Sequence, residues 1–282
     1  MGCFEKILVP VDFSMNTKVA LSKAIDFAVP GITEVMLLHV RQPKVFPLAN
    51  IFLPSRITST ADIQMAMYKV EEEIAAYDPS IISQTNIISS NNVEEAIIDV
   101  AATWKPGLII IGKTNHHSFF PFLNTVISAN VAGQTHCPVL TVKPGALQKK
   151  LATIVMPIGD FYPRRKLEML STLSIKTHLN IHLVSVLDID QQPDNHSASI
   201  VLQVLKQLRS KLNCTVQCSI VHADNKAIAT LRYAEKVKAD MLLVNPEAET
   251  SISTWMSRKD IADVLKPVSQ LQVMSIQPDL KL

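Results

Sequence analysis

GLIIIGKTNHHSFFPFLNTVISANVAGQTHCPVLTV, residues 107–142, decides the fold. A short apolar strand, Leu108 to Ile111, ends on Gly112 and opens into a polar loop. The spacing then predicts a helical segment from about Phe122 to Ala132 and a second strand from Pro138 to Val142. Strand, loop, helix and strand make one βαβ unit, with its loop at the carboxyl end of the first strand. Parallel sheets hold ligands at that end, against helix amino termini. A weaker copy recurs at Met241 to Ile276.

Working outward, Lys6 to Pro10 reads as a buried strand, and Val19, Ala20, Ile25, Phe27 and Ala28 mark an amphipathic helix that stops at Pro30-Gly31. Val35 to Val40 is the next strand. Arg41 to Ser59 lacks periodicity and reads as a surface loop. A helix from Ala61 to Tyr77, a strand at Thr85 to Ile88, and a helix from Val93 to Trp104 capped by Asn92 complete the first copy. Pro144 to Lys150 has the composition of a linker.

Beyond it the pattern restarts: Ile154 to Pro157, a helix from Arg164 to His178, and Ile181 to Val186. His196 to Leu212, Thr215 to Val221, Lys226 to Lys238 and Met241 to Val244 then supply helix, strand, helix and strand, with Asn225 as the matching cap. Ile261 to Leu265 is expected to be helical up to Pro267, and Leu271 to Ile276 is the last strand. The SISTWMSRK stretch containing Trp255 reads as a loop. Apolar strands alternating with helices are the signature of an α/β fold with doubly wound parallel sheets. The 282 residues suit two such domains in tandem, 1–146 and 151–282, packed as a pseudo-dimer. The VLTV type of closing strand is the expected contact, since it would otherwise be an open sheet edge.

Composition narrows the function classes. Residues 1–147 carry 10 basic and 12 acidic side chains and the remainder 17 and 13, too even for a nucleic-acid surface. No apolar run suits a membrane span, and no signal-peptide pattern opens the chain, so a cytoplasmic setting is expected. Cys3, Cys137, Cys214 and Cys218 form no C-x-x-C pair, and each is expected to act as a small buried hydrophobe in a reducing compartment.

With these elements in place, the chain resembles the universal stress protein family in its tandem two-domain form. The resemblance rests on ILVPVDFS at 7–14, LLHV at 37–40, LIIIG at 108–112 and CPVLTVKP at 137–144. It implies an adenine-nucleotide alpha-hydrolase-like fold and binding of ATP or another adenine nucleotide, with a nucleotide-associated magnesium ion as the sole expected metal. By position, the resemblance places the adenine contact at Asp12 beside Pro10, the pocket wall at Val40, and the first glycine of the phosphate loop at Gly112. The second glycine of the family pattern falls on Asn115, and the third on Asn124 followed by Thr125, with one intervening residue too few. Glycine matters there because phosphate oxygens must approach backbone N–H groups closely. Lys113, His116 and His117 are candidates for compensating positive charge. In the second copy Gly159 stands for Asp12 and Asn245 for Gly112, and Glu247 and Glu249 would repel phosphate.

Each candidate has a plainer reading. Asp12 could cap the helix that starts near Asn16, Gly112 could be a strand-end turn, and Thr125 a helix cap. The His116-His117 pair lacks a third ligand at metal-binding spacing and reads as polar loop. His39 reads as a satisfied core or rim histidine. The apolar run Phe119-Phe120-Pro121-Phe122 could be a lid or an oligomer contact. No Gly-x-x-x-x-Gly-Lys-Ser/Thr loop, serine elbow or paired-carboxylate pattern exists, so catalysis is disfavoured. The expectation is a stress-response regulatory or protective protein whose first domain binds nucleotide and whose second is a built-in dimer partner. It would act on an unknown protein partner, with further homo-oligomers open. The rivals are a scaffold whose pocket is filled by its own side chains, and a slow ATPase or small-molecule hydrolase.

Overall fold

The computed structural model describes residues 4–42, 59–113, 123, 126–192, 194–246, 249, 251–253, 258–260, 265–266 and 268–279. In chain order the first half runs β1 (Lys6–Pro10), α1 (Met15–Phe27), β2 (Glu34–Arg41), α2 (Thr60–Tyr77), β3 (Ile82–Ser89), α3 (Val93–Trp104), β4 (Leu108–Gly112), α4 (Ser128–Thr135) and β5 (Val139–Val142). The second half repeats it as β6 (Thr153–Ile158), α5 (Arg164–Leu173), β7 (Leu179–Leu187), α6 (Asn195–Lys211), β8 (Cys214–His222), α7 (Lys226–Lys236), β9 (Met241–Val244) and, after a hairpin of β10 (Ser251–Ser253) with β11 (Arg258–Asp260), β12 (Gln272–Ser275).

All strands except the hairpin join one ten-stranded sheet in the order β3-β2-β1-β4-β5-β12-β9-β6-β7-β8. Within each half every pairing in this sheet is parallel, and the two halves meet where β12 runs antiparallel to β5, Met274 opposite Leu140. An α/β, mostly parallel unit is therefore repeated over the chain. The closing VLTV strand makes the inter-half contact because neither it nor its counterpart has another neighbour on that side.

Strand residues alternate between faces. Ile7, Val9, Leu108 and Ile110 face α1 and α2, while Leu8, Ile109 and Ile111 face α3 and α4. The first of these clusters continues without a break to Leu167, Leu170, Ile200 and Val204 of α5 and α6 in the other half. The halves thus share a core as well as a sheet. Lys176 adds a hydrogen bond across the divide, from Nζ to the Ala28 carbonyl at 2.7 Å.

Several sequence expectations need correction. The helix expected over Phe122–Ala132 begins at Ser128 and runs to Thr135. Ile127 at its amino end has extended backbone, and its N–H donates at 2.6 Å to Glu94 of α3, so a tertiary carboxylate does the capping that no local side chain supplies. The helix expected over Arg164–His178 stops at Leu173, where the Thr172 and Ser174 hydroxyls bond back to the carbonyls of Glu168 and Ser171. β3 is longer than Thr85–Ile88, because it pairs along the whole of β2. Pro144 to Lys150 is no loose linker: it holds a 3-10 turn at Pro144–Ala146, and a Cβ on Gly145 would lie 2.1 Å from the Val268 carbonyl oxygen. Part of the expected SISTWMSRK loop is the β10–β11 hairpin, while Trp255 lies outside the described residues, as do Ile261 to Asp263 and Val264 of the expected short helix. Cys137 is buried as expected, but Cys218 is exposed on the sheet-edge strand β8.

Candidate functional site

The carboxyl ends of β1, β2 and β4 meet at one edge of the first half. Pro10 closes β1, and the Val11 N–H reaches across to the Leu38 carbonyl at 2.8 Å. The chain then turns through Phe13, whose φ of 58° is left-handed backbone that a non-glycine residue seldom adopts. That turn delivers Ser14 as the cap of α1, its hydroxyl oxygen accepting from the Asn16 N–H at 3.1 Å.

Asp12 sits beneath this turn, 9% exposed. Its Oδ1 accepts from the Ser14 N–H (3.0 Å), the Ser14 hydroxyl (2.5 Å) and the Thr17 hydroxyl (2.8 Å), while its own N–H donates to Thr17 Oγ1 at 3.0 Å. The cap is therefore Ser14, and Asp12 holds the cap in place. Its second oxygen, Oδ2, is buried and has no hydrogen-bond partner among the described residues. A buried carboxylate oxygen without a donor costs free energy, so it marks a place for one.

His39 of β2 stands beside it. Its Nδ1 lies 2.9 Å from the Val11 carbonyl oxygen, which can only accept, so Nδ1 carries the proton. The Phe13 ring leans on the imidazole at 4.8 Å between centroids. Burial pushes the His39 pKa down, against the smaller opposing pulls of the Val11 carbonyl and Asp12. Val40, next in β2, is fully buried and pairs with Ile88.

Gly112 has a different reason from either one expected. It lies inside β4, opposite Val142, and a Cβ there would fall 2.1 Å from the carbonyl oxygen of Asn16. The missing side chain lets the first turn of α1 pack against β4. Asp12 and Gly112 thus secure the same turn from two sides. Lys113 is buried, with Nζ donating to the Val126 carbonyl at 2.6 Å, so its charge is not offered to a phosphate in the way the sequence suggested. Asn115, His116, His117, Asn124 and Thr125 lie outside the described residues, as does the Phe119–Phe122 run. Pro10, Asp12, Val40 and Gly112 are brought together.

The corresponding edge of the second half is filled from within. Lys166 of α5 reaches the carboxyl ends of β6 and β9, with Nζ 2.7 Å from Glu249 Oε2 and 3.1 Å from the Pro157 carbonyl. Asn245 donates to the same carboxylate through its N–H (2.8 Å) and its side-chain amide (3.2 Å). All three side chains are buried. Glu249 therefore does not repel an anion as an open charge would; its own partners neutralise and enclose it. Nothing in the local sequence distinguishes Lys166 from the other basic residues of its helix, and only the fold brings it to Glu249. Ser14 and Thr17 were legible only as residues near a helix start. Among the described residues no group of three or more His, Cys, Asp or Glu side chains is placed to hold a metal ion, and no helix is long and apolar enough to cross a membrane.

Comparison with known proteins gives this edge a family. The model of the universal stress protein family matches residues 4–143. A universal stress protein of Methanocaldococcus jannaschii is 26% identical over 159 residues, covering 50% of this chain and 95% of that protein. The crystal structure of a universal stress protein from Archaeoglobus fulgidus is similar over 98% of both chains, with 16% identity and a TM-score of 0.64. A Pseudomonas aeruginosa protein of unknown function (15% identity, 98% and 93% covered, TM-score 0.56) and the cytoplasmic domain of a prokaryotic cation chloride cotransporter (13%, 96% and 95%, 0.54) share the fold over nearly their whole length. Those three likenesses speak for the repeated fold alone, whereas the match over β1 to β5 carries the Asp12 turn and Gly112. On that match, the chain belongs to the universal stress protein family.

Proposed function

We propose that the first half binds an adenine nucleotide at the carboxyl edge of β1, β2 and β4, and that the protein is a stress-response regulator or protector without catalytic turnover. The observation that carries this reading is Oδ2 of Asp12, buried and without a partner among the described residues. A carboxylate oxygen held still by three donors on its sister atom is ready to accept from an exocyclic amine or a ribose hydroxyl. On this reading Pro10 and Val40, both buried at the ends of β1 and β2, would supply apolar wall, and the packed Phe13 and His39 rings would stand beside it. This arrangement suits a nucleoside end. For the phosphates the reading assigns Asn115, Asn124 and Thr125, with magnesium entering only alongside a polyphosphate such as ATP.

Domains 1–146 and 151–282, each of the doubly wound, adenine-nucleotide alpha-hydrolase-like type, and a cytoplasmic setting belong to the same proposal. The second domain serves as the fixed dimer partner, its own edge occupied by Lys166, Asn245 and Glu249. Regulation would be by linkage: a nucleotide bound at this edge changes the population that a protein partner meets.

The test is calorimetric titration of adenosine, AMP and ATP into wild type and Asp12→Asn. The substitution keeps an oxygen for Ser14 and Thr17 and exchanges the unpartnered acceptor for a donor. Binding by wild type that falls at least about tenfold in the variant is the expected result. Absence of saturable binding by all three ligands, or equal affinity in both proteins, would sink the proposal.

A further inference from the structure

The two halves repeat each other closely at the amino ends of their central strands. Gly107 donates its N–H to the Lys6 carbonyl at 2.9 Å, as Asp240 does to the Thr153 carbonyl at 2.8 Å. Glu34 N–H meets the Glu5 carbonyl and Asn180 N–H meets the Ala152 carbonyl, both at 2.8 Å. Two residues before each position stands a lysine at positive φ, Lys105 at 54° and Lys238 at 51°. Gly107 therefore occupies in the first half the place that Asp240 occupies in the second.

The side chains at this place differ completely. Asp240 is buried, and its Oδ2 accepts from the N–H groups of Ala152 and Thr153, both at 2.8 Å, while Oδ1 lies 3.0 Å from Lys149 Nζ. The connection between the halves packs over this end, with Gly145 against Val268. The chain has closed this end with a carboxylate and a lysine of its own.

At the opposite end Gly107 offers no side chain, and a cavity of about 420 Å³ opens between the halves. Lys6, Lys105, His136 and Arg165 line it. Arg165 donates to the carbonyls of Gln277 (2.9 Å) and His136, neutral groups that bring no countercharge. Lys6 Nζ stands 5.1 Å from the centre of the Trp104 ring. Glu5 and Glu168 also border the cavity, but Glu168 is bound to Arg164 at 3.1 Å. The volume lies within the range of small-molecule sites, and along the lining Lys6, Lys105 and Arg165 outnumber Glu5 and Glu168.

We infer that this inter-half cavity is a binding site for a small carboxylate, seated in the space that Gly107 leaves and that Asp240 fills in the other half. The planar carboxylate matches the guanidinium of Arg165, and Lys105 supplies the second charge. The site lies at the end of the first half's sheet remote from Asp12, so it is independent of the nucleotide proposal.

The experiment titrates malonate, succinate and citrate, with inorganic phosphate as a separate arm, into the full chain by calorimetry. The variants are Gly107→Asp, which installs the second half's own carboxylate, together with Arg165→Gln and Lys105→Asn. At least one carboxylate is expected to bind saturably and to weaken about tenfold or more in each variant. Lys105 is exposed, so Lys105→Asn tests the site even where Gly107→Asp fails to fold. The inference is overturned by the absence of saturable carboxylate binding. It is equally overturned by undiminished binding in folded Gly107→Asp or in Lys105→Asn, or by phosphate binding at least as tightly as any carboxylate.

Discussion

Lys166 Nζ lies 2.7 Å from Glu249 Oε2, and the two side chains are only 2% and 9% exposed. This one pair separates the two copies of the module. In the first, the corresponding edge ends in a buried carboxylate oxygen that no donor among the described residues reaches; in the second, an ammonium and a carboxylate answer each other, and Asn245 donates twice more. Burial alone pushes the Lys166 pKa down, and Glu249 draws it part of the way back up.

Removing one member of the pair should cost far more than removing both. Lys166→Met leaves Glu249 buried without its counter-ion and is expected to lower stability by roughly 3–5 kcal/mol. The double variant Lys166→Met/Glu249→Gln, which buries no net charge, should recover most of that loss. Urea denaturation of the four proteins in the cycle measures the difference; equal losses in single and double variants would refute a paired role.

Gly112→Ala tests the packing of α1 on β4. The added Cβ would fall 2.1 Å from a main-chain oxygen, which cannot swing aside as a long side chain could. A loss of about 1–3 kcal/mol or more is expected. Hydrogen exchange should show the cost concentrated in the first turn of α1, and a variant as stable as wild type would contradict the contact.

Glu94 joins two helices. It accepts from the Ile127 N–H at the start of α4 and from the Asn130 side chain, although it belongs to the first turn of α3. Glu94→Ala should cost about 1 kcal/mol, the scale of a lost helix cap, and speed amide exchange at the start of α4 while leaving the carboxyl half of α3 unchanged. Uniform exchange changes across both helices would argue against a local cap.

Acid should weaken the fold through its buried histidines. His39 and His182 both have pKa values lowered by burial from the ordinary 6.5, His182 while bonded to the Tyr233 hydroxyl at 3.1 Å. The unfolded chain therefore takes up protons that the folded chain refuses. Their contribution to stability is present above about pH 6.5 and is lost as pH falls through the lower folded-state values. Melting temperatures between pH 8 and pH 5 should drop less steeply in His39→Asn, whose amide can still donate to the Val11 carbonyl; an unchanged slope would rule His39 out.

Much of this architecture is legible in the sequence. The run IIIG followed by a loop and VLTV specified parallel strands, since only strands covered on both faces are apolar without alternation. Asn92 and Asn225 announced their helices at equivalent points of the two copies, and both side chains do cap. Gly145 was less transparent. A Pro-Gly pair looks like a linker whether it hangs free or packs against a carbonyl, because glycine permits both.

The sequence by itself determined the α/β class, the repeat, and the strands through which the copies would meet, because these follow from periodicity and from short-range caps. Only the tertiary structure decided what each end of each module would do. Whether a buried carboxylate keeps an oxygen without a described donor, as at Asp12, is enclosed, as at Glu249, or is locked to Lys149, as at Asp240, depends on which donors the folded chain brings to it. Those donors come from residues up to 91 positions apart at Lys149 and Asp240, counted along the chain, and hydrogen bonds act over about 3 Å whatever the separation in sequence.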